Sequence, residues 1–556
     1  MGLFAGLAGQ KAQLVCCNRG VGNALSFSPS LPARAQVHLD KKQARPVECA
    51  AASVAAQPAA PAPAATFPTL AARQAAFTED ILPEQENLEL HVEGQLPAWL
   101  CGAFVRNGPG TYKGMRHLFD GYAMLVSFSM EGGRVHVTQR YVESEAWKGF
   151  RDTGRMEFAE YGTPLLLARG IPKLLAGVTG LGQGFTDNAS VNVLPGAARG
   201  ELVAVTESVA GTFRIDERTL RTLGRVKYSD GIKGDLNTAH PTLQRDGSII
   251  NLAIGFGTDM TLYRQAAAGA PREVLARIPL SKWPTPSWIH DFPVTPNYAV
   301  IPEQPCFFNI KAAVAGGAEY VMFDWCPERR TRLHLVPLAG GAVRTFDAPA
   351  YFTFHYLNAF ESADGRSLCF DFPWFEDPIM LNNLYLDVMR SNGSTICSSP
   401  LRRITLPLDG SSTEARVESL MRDDASYIFA EMPRVNPKVK GLEYRFAYGL
   451  AAKPPCAFGN GLAKFDVVAG EATLWHEPGC IPGEPVMVPR PGAQDEDDGV
   501  VLSVVVGADG RSFLLALDAR GFTEVARAQL PYGVPYGFHC AFTPRDPGGP
   551  AAMGKT

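Results

Sequence analysis

Four histidines lie in similar apolar surroundings, far apart in this 556-residue chain. They are His240 in DLNTAHPTL, His290 in PSWIHDFPV, His355 in FTFHYLNAF and His539 in PYGFHCAF, separated by 50, 65 and 184 residues. Taken singly, each is most simply a core imidazole that hydrogen-bonds to a backbone carbonyl. Taken together, four neutral imidazoles would leave open positions on a six-coordinate ion such as Fe(II). Zinc more often takes three ligands and a water, or includes cysteine.

Three glutamates could support such a site. A metal-bound imidazole needs an acceptor for its second ring nitrogen, and this acceptor is often a carboxylate. Glu207 in AVTESV, Glu431 in FAEMP and Glu484 in IPGEPVMV lie in apolar segments of the same kind. None of the four histidines forms the i, i+4 helical pair of HExxH zinc sites. Separate strands would therefore have to bring the residues to a common axis.

The elements that would position these residues are short strands. From about Leu88 onward, β-type runs alternate with turn signals, and the chain contains 55 glycines and 43 prolines. The runs VVLSVVV and SFLLALD flank GADGR (Gly507–Arg511), which predicts a hairpin. Many such units in series predict an all-β protein, either a β-propeller or a large barrel. Because no clean repeat is present, periodicity does not choose between the two.

The ends of the chain differ from its middle. Residues 1–50 are rich in Ala and Ser, with basic residues and few acids, which is typical of an organelle transit peptide. The alternative is an unstructured tail without an address function. We expect an Ala/Pro-rich linker over residues 51–80, one catalytic domain over 81–548 and a disordered tail over 549–556.

Several other features have simpler interpretations. The net charge of −4 argues against nucleic-acid binding. No apolar run reaches 18 residues, so we expect no transmembrane helix. Residues 161–184 suggest either short helices that cap a tunnel or dip into one leaflet, or plain core helices. The acidic run Asp495–Asp498 is interpreted as a solvated turn rather than a second metal site, and RNGPG (Arg106–Gly110) as a structural turn rather than a phosphate loop.

Ordered motifs over residues 85–545 resemble those of the carotenoid cleavage dioxygenases, a family that includes the retinal pigment isomerase. They include LPAWLCGAFVRNGPG, RHLFDGYAMLV, TDNASVNV, NTAHPTL, WIHDFPVT, FHYLNAFE and PYGFH. The resemblance implies a seven-bladed β-propeller with iron on its axis and a helical and loop dome over a hydrophobic tunnel. His117, in RHLFDGYA, is not at a ligand position of the family, and we assign it a structural role.

The resemblance also implies roles for individual residues. His240, His290, His355 and His539 would ligate Fe(II) as the catalytic centre, and the three glutamates would orient three of the imidazoles. The implied pairings are Glu207 with His290, Glu431 with His355, and Glu484 with His539.

Within the family, RNGPGTY, YVESEAWK, VPRPGAQDEDDGVV and LPYGVPYGFHC resemble the plant and algal branch that makes carlactone, the strigolactone precursor. This branch implies a chloroplast enzyme that uses dioxygen to cleave 9-cis-β-apo-10′-carotenal, with peripheral contact to a plastid membrane through residues 161–184. The alternatives are cleavage of another carotenoid or apocarotenoid, non-oxidative isomerohydrolysis at the same iron, and a non-catalytic propeller used as a binding scaffold.

Overall fold

The structure is a computed structural model. Its packing divides the chain into residues 1–61 and 62–556, and all described residues belong to the second unit. The residues that it describes are 67–163, 186–234, 236–282, 284–309, 311–312, 317–393, 397–422, 429–453, 456 and 458–545.

The first five strands belong to one large sheet. They are β1 (Gln85–Gly94), β2 (Gly102–Arg106), β3 (Pro109–Thr111), β4 (Tyr122–Glu131) and β5 (Arg134–Tyr141). Burial alternates along β5, where Val135 and Val137 point into the core, as expected for a strand with one face toward solvent. In contrast, β4 is buried over nearly all its length, because it lies between two covered faces.

Five antiparallel sheets of three to five strands follow in chain order, together with one separate two-stranded pair. The first contains β6 (Asn192–Pro195), β7 (Glu201–Val205), β8 (Thr212–Asp216) and β9 (Thr222–Arg225); the second contains β10 (Leu236–Asn237), β11 (Thr242–Leu243), β12 (Ile249–Ile254), β13 (Met260–Gln265) and β14 (Arg272–Ile278). The third contains β15 (Tyr298–Glu303), β18 (Thr331–Pro337) and β19 (Arg344–Ala348). Two strands that lie between β15 and β18 in the sequence, β16 (Cys306–Phe308) and β17 (Phe323–Trp325), form a separate two-stranded pair. The fourth contains β20 (Asn358–Glu361), β21 (Ser367–Pro373), β22 (Leu401–Pro407) and β23 (Arg416–Ser419); the fifth contains β24 (Ala430–Val435), β25 (Phe446–Ala451), β26 (Gly461–Asp466) and β27 (Glu471–Trp475).

The last six strands return to the large sheet. They are β28 (Ile481–Pro482), β29 (Val486–Pro489), β30 (Gly499–Val506), β31 (Ser512–Asp518), β32 (Glu524–Gln529) and β33 (Cys540–Pro544). This sheet has 11 strands, with the main order β28-β30-β31-β32-β1-β5-β4-β2-β33. Strands from both ends of the domain are therefore hydrogen-bonded to each other, through the β1–β32 and β2–β33 pairs. The predicted hairpin is confirmed, because β30 and β31 pair across a turn closed by the Gly507 N–H and the Arg511 carbonyl at 2.7 Å.

The all-β, propeller-like architecture is confirmed, and the alternative of one large barrel is wrong. Successive sheets pack face to face: side chains of β12, such as Ile250 and Leu252, share a hydrophobic cluster with Ile301 on β15 and Val336 on β18. The expected count of seven separate blades is not observed in the described residues, which show five sheets of three to five strands, the two-stranded β16–β17 pair and the 11-stranded sheet. The reason is that β1 is hydrogen-bonded on both sides, to β5 and to β32, and this joins strands that would otherwise form separate sheets.

The helices of the described residues are short. They are α1 (Leu70–Ala76), α2 (Glu145–Thr153), α3 (Ile379–Asn383) and α4 (Leu386–Ser391). None of them is long and apolar enough to cross a membrane. They do not by themselves form the expected helical dome, and residues 164–185 lie outside the described residues. α1 lies inside the range assigned to the linker, and its Ala72 and Ala76 are buried in the largest hydrophobic cluster.

Candidate metal centre

The four histidines come from four different parts of the fold and meet at one point. His240 lies between β10 and β11, His290 between β14 and β15, and His355 between β19 and β20. His539 immediately precedes β33. Each of them therefore lies beside the edge strand of a different sheet. Sheets arranged around an axis bring these edges together, which explains how residues up to 299 positions apart share a site.

The ring nitrogens converge closely. The Nε2 atom of His290 lies 3.0 Å from Nε2 of His240 and 3.1 Å from Nε2 of His355. The Nε2 atoms of His355 and His539 are 3.3 Å apart, and all four candidate ligand atoms lie within 4.8 Å of one another. Nitrogens bound at about 2.1 Å from one ion, at right angles, would be about 3.0 Å apart. The spacing therefore fits four nitrogens around a single metal ion.

Three of the imidazoles form hydrogen bonds to carboxylates through Nδ1. Nδ1 of His290 lies 2.5 Å from Oε1 of Glu207, and Nδ1 of His355 lies 2.5 Å from Oε2 of Glu431. Nδ1 of His539 lies 2.8 Å from Oε1 of Glu484. These are the three pairs that the family resemblance implies. A carboxylate on Nδ1 fixes the proton there and leaves the Nε2 lone pair free for a metal.

The three carboxylates differ in how many of their hydrogen-bond acceptor positions are occupied. Glu484 accepts hydrogen bonds from His539, from the Cys540 N–H at 2.7 Å, and from Nε and Nη2 of Arg434 at 2.8 and 3.0 Å. These four donors use all the acceptor positions of a carboxylate. Glu431 accepts from His355 and from the Met432 N–H, and its Oε1 has no partner in the described residues. Glu207 is the most exposed of the three, with 25% of its side chain accessible.

The surroundings favour the uncharged form of two of the four imidazoles. Burial, reinforced by the other histidines, moves the pKa of His240 well below its ordinary value. Burial also lowers the pKa of His539 to about 4, against the opposing effect of Glu484. For His355, burial lowers the pKa but Glu431 outweighs it, so the pKa is raised. Burial of Glu484 would raise its pKa, but Arg434 and His539 lower it to about 2, so this carboxylate is ionised at neutral pH.

A cavity of about 600 Å³ opens at the histidines. Three of the histidines line it, together with Glu207 and Glu431, and the other lining side chains are apolar or aromatic. They are Leu118, Phe119, Val191, Phe354, Met380, Leu384, Phe429, Met432, Leu450, Phe458, Tyr536 and Phe538. A long apolar molecule could lie in this cavity with one bond next to the Nε2 atoms.

The remaining interpretations from the sequence can be compared with the structure. The acidic run is a turn, as predicted, and its members pair with basic side chains, such as Asp497 with Lys464 at 2.7 Å. The structural role of His117 is confirmed, because its Nε2 binds the Leu381 carbonyl at 2.8 Å and burial lowers its pKa to about 4. The prediction for residues 161–184 lies outside the described residues from residue 164 onward.

Sequence reasoning missed Arg434 and the aromatic lining. Arg434 follows Glu431 by three positions on β24, and an arginine in an otherwise apolar strand is a signal that a buried acid needs a partner. Phe119, Phe354 and Phe538 pack edge to face next to the histidines, with ring centroids 5.7 to 6.1 Å apart. Phe354 immediately precedes His355 in the sequence, and Phe538 immediately precedes His539.

Comparison with known proteins supplies the identity of the fold. The family model described as retinal pigment epithelial membrane protein matches residues 78–544. This chain belongs to that family, the carotenoid oxygenases. As a family member it is 34% identical to carotenoid cleavage dioxygenase 8 homolog B, chloroplastic, of Oryza sativa subsp. japonica, over 96% of this chain and 99% of the rice protein. It is 35% identical to carotenoid cleavage dioxygenase 8, chloroplastic, of Arabidopsis thaliana, over 83% and 85% of the two chains.

Solved structures of the family have the same fold. The crystal structure of cobalt-substituted apocarotenoid oxygenase from Synechocystis superposes with a TM-score of 0.70 at 25% identity, covering 86% of this chain and 99% of that chain. The similarity to dioxygenases over nearly the whole length makes this carotenoid oxygenase an oxidoreductase of the carotenoid cleavage dioxygenase class. Its plant relatives are chloroplast proteins by name, which supports a plastid location.

Proposed function

We propose that His240, His290, His355 and His539 hold one Fe(II) ion, and that the enzyme uses dioxygen to cleave a conjugated C=C bond of an apocarotenoid. The observation that carries this proposal is the convergence of four Nε2 atoms, 3.0 to 3.3 Å apart between neighbours, at an apolar cavity. Four imidazoles suit iron, because they leave coordination positions for dioxygen. When bound, ferrous iron would supply the activation of dioxygen, which reacts slowly with closed-shell alkenes.

The protein's own residues would have three tasks in this reaction. Glu207, Glu431 and Glu484 hold the protons on Nδ1 and so orient three of the rings. Phe119, Phe354 and Phe538 surround the rings and exclude water, and this protects reactive species from hydrolysis. The rest of the cavity sets how far a polyene can enter and therefore which double bond lies beside the histidines.

The proposed substrate is 9-cis-β-apo-10′-carotenal, and the proposed product is carlactone. The similarity to two carotenoid cleavage dioxygenase 8 proteins from plants supports this choice within the family. The apolar and aromatic walls of the cavity at the histidines also suit an apolar polyene. Cleavage of another apocarotenoid or carotenoid, or at another position, would use the same metal site and differ only in the walls.

The proposal includes the organisation of the whole chain. Residues 1–50 would direct the protein into the plastid, residues 51–80 would link this peptide to the domain with α1 of this range packed on the domain core, and residues 549–556 would form a disordered tail. Residues 161–184 would contact a plastid membrane and draw the lipophilic substrate toward a helical and loop dome. The 11-stranded sheet would count as two blades joined through β1, which gives seven with the five sheets of three to five strands, if the β16–β17 pair is not counted as a blade.

Product analysis under labelled oxygen tests the proposal. Purified enzyme loaded with Fe(II) would be incubated with a panel of all-trans and 9-cis apocarotenals of different lengths under ¹⁸O₂. We expect label in the products and the highest kcat/KM for 9-cis-β-apo-10′-carotenal, and no turnover by His290→Ala. Label with another member of the panel as best substrate would correct the substrate and keep the dioxygenase. Products without label would refute the dioxygenase and favour isomerohydrolysis.

A further inference from the structure

One arginine beside the metal centre has no role in the proposed reaction. Arg106, the first residue of RNGPG, is only 1% exposed and ends β2 opposite Cys540 on β33. Its Nη2 donates to the Pro535 carbonyl at 2.5 Å and, more weakly, to the Pro109 carbonyl at 3.4 Å. Its Nε and Nη1 have no hydrogen-bond partner in the described residues, and no carboxylate there forms an ion pair with it. A buried guanidinium with two unused donors is costly unless something else accepts them.

Arg106 lines a second cavity of the described residues. This cavity of about 290 Å³ is lined by Arg106, Glu484, Tyr536 and Cys540 among others, and leaves room for the centre of about one water-sized molecule. Glu484 does not satisfy Arg106, because its acceptor positions are already used by Arg434, His539 and Cys540. Burial lowers the pKa of Arg106 to about 10, so its side chain is still charged at neutral pH.

The guanidinium is built into the segment that carries His539. A Cβ atom on Gly537 would lie 1.9 Å from Arg106 Nε, so only glycine leaves space for the arginine at this position. The neighbouring Asn107 pairs with the same segment in both directions: its N–H donates to the His539 carbonyl, and its carbonyl accepts from the Phe538 N–H, each at 2.9 Å. Arg106 and Asn107 therefore fix the backbone on both sides of His539.

We propose that the space beside Arg106 is a binding site for one small hydrogen-bond acceptor, a water molecule or a halide ion, which completes the contacts of the guanidinium and fixes residues 535–539. Arg106 is thus a positioning residue that acts on His539 through the backbone. It does not line the 600 Å³ cavity, so it has no direct contact with a substrate there. This site does not depend on which metal or substrate the enzyme uses.

A crystal structure of the native full-length chain, grown in sodium bromide, tests the site directly. We expect one peak within hydrogen-bonding distance of Nε and Nη1 of Arg106. An anomalous bromine signal would identify a halide, and a peak without it would identify water. A cavity without a peak, or a protein group that accepts both donors, would overturn the proposal. Since the native chain is used, this result does not depend on the folding of a variant.

Variants test the positioning role. Arg106→Met should lower kcat by about tenfold or more, because displaced catalytic groups lose rate, while KM stays within about twofold. The matched control is Arg272→Met, which also removes a buried arginine, but one that is paired with Asp230 and lines neither cavity. We expect this control to lower stability without changing kcat. Equal kcat losses in the two folded variants, or a rise in KM alone for Arg106→Met, would contradict the positioning role.

Discussion

Glu484→Gln replaces one carboxylate oxygen by an amide nitrogen at the place where four donors meet. Glutamine keeps a single acceptor oxygen. Its NH₂ group would face two of the N–H groups from which the carboxylate now accepts hydrogen bonds. Either orientation of the amide leaves Arg434 without its counter-charge, and one orientation also removes the acceptor of His539 Nδ1.

The loss of stability in Glu484→Gln can be estimated from the hydrogen bonds that the variant loses. Removing one partner of a buried, hydrogen-bonded ion pair typically costs about 3–5 kcal/mol. Because 34% of the Arg434 side chain is exposed, water can solvate part of its charge, and we expect a loss of about 2–4 kcal/mol in the free energy of unfolding. Freed of its acceptor, His539 should also orient less well, which lowers metal affinity and turnover by about 10–100-fold.

Glu207→Gln is the matched control. Glu207 also holds an imidazole, but its side chain is 25% exposed and has one partner, His290, among the described residues. The amide oxygen of glutamine can still accept from His290, so we expect a stability loss of at most about 1 kcal/mol. Metal affinity should fall in this variant too, because the neutral amide makes the imidazole a weaker donor.

Two measurements separate the effects. Urea unfolding of the metal-free proteins gives the stability of each variant, and competition with a chelator gives the affinity for Fe(II). The reasoning predicts a large stability gap between Glu484→Gln and Glu207→Gln and a smaller difference in metal affinity. Equal stability losses would refute the assignment of four donors to Glu484, and unchanged iron affinity in both would refute the orienting role of the carboxylates.

Three further predictions concern other parts of the molecule. His290→Ala should lose tightly bound iron, measured by metal analysis after gel filtration, while its circular dichroism spectrum stays native. The control His136→Ala, on β5, should keep its iron. Iron retained by His290→Ala would remove His290 from the ligand set. Gly537→Ala should cost about 1–3 kcal/mol in urea unfolding, because its Cβ overlaps Arg106, and an unchanged midpoint would contradict this overlap. The pKa of His117 is lowered from 6.5 to about 4, so the unfolded chain binds the proton first and the folded state loses stability as the pH falls from 6.5 toward 4. At about 1.4 kcal/mol per pKa unit, the stability advantage of the native protein over His117→Gln should shrink by about 3 kcal/mol between pH 7 and 4. A constant difference between the two proteins would contradict a buried neutral imidazole.

The histidines show how far the sequence alone can lead. Their residue type and apolar setting indicate a possible metal site, and the surrounding motifs identify the family and predict the propeller-like fold. The hairpin at Gly507–Arg511 and the turn at Asp495–Asp498 were also predictable, because turn chemistry and strand patterns are local properties of a few adjacent residues. Spacing alone did not distinguish a propeller from a barrel, since both consist of short strands and turns.

Other features depend on contacts between distant residues. The joining of β1 to β32, which replaces separate blades by one 11-stranded sheet, depends on strand edges more than 430 positions apart. The sequence was equally unable to show the saturation of Glu484, or that Oε1 of Glu431 and two donors of Arg106 have no partner among the described residues.

The order of amino acids sets which donors, acceptors and apolar side chains are available, and it sets the local turns and strands. Which of these groups meet depends on the folded domain, because the packing of successive sheets sets the distance between their edges. Four imidazoles separated by 50, 65 and 184 positions come within 4.8 Å of one another for that reason.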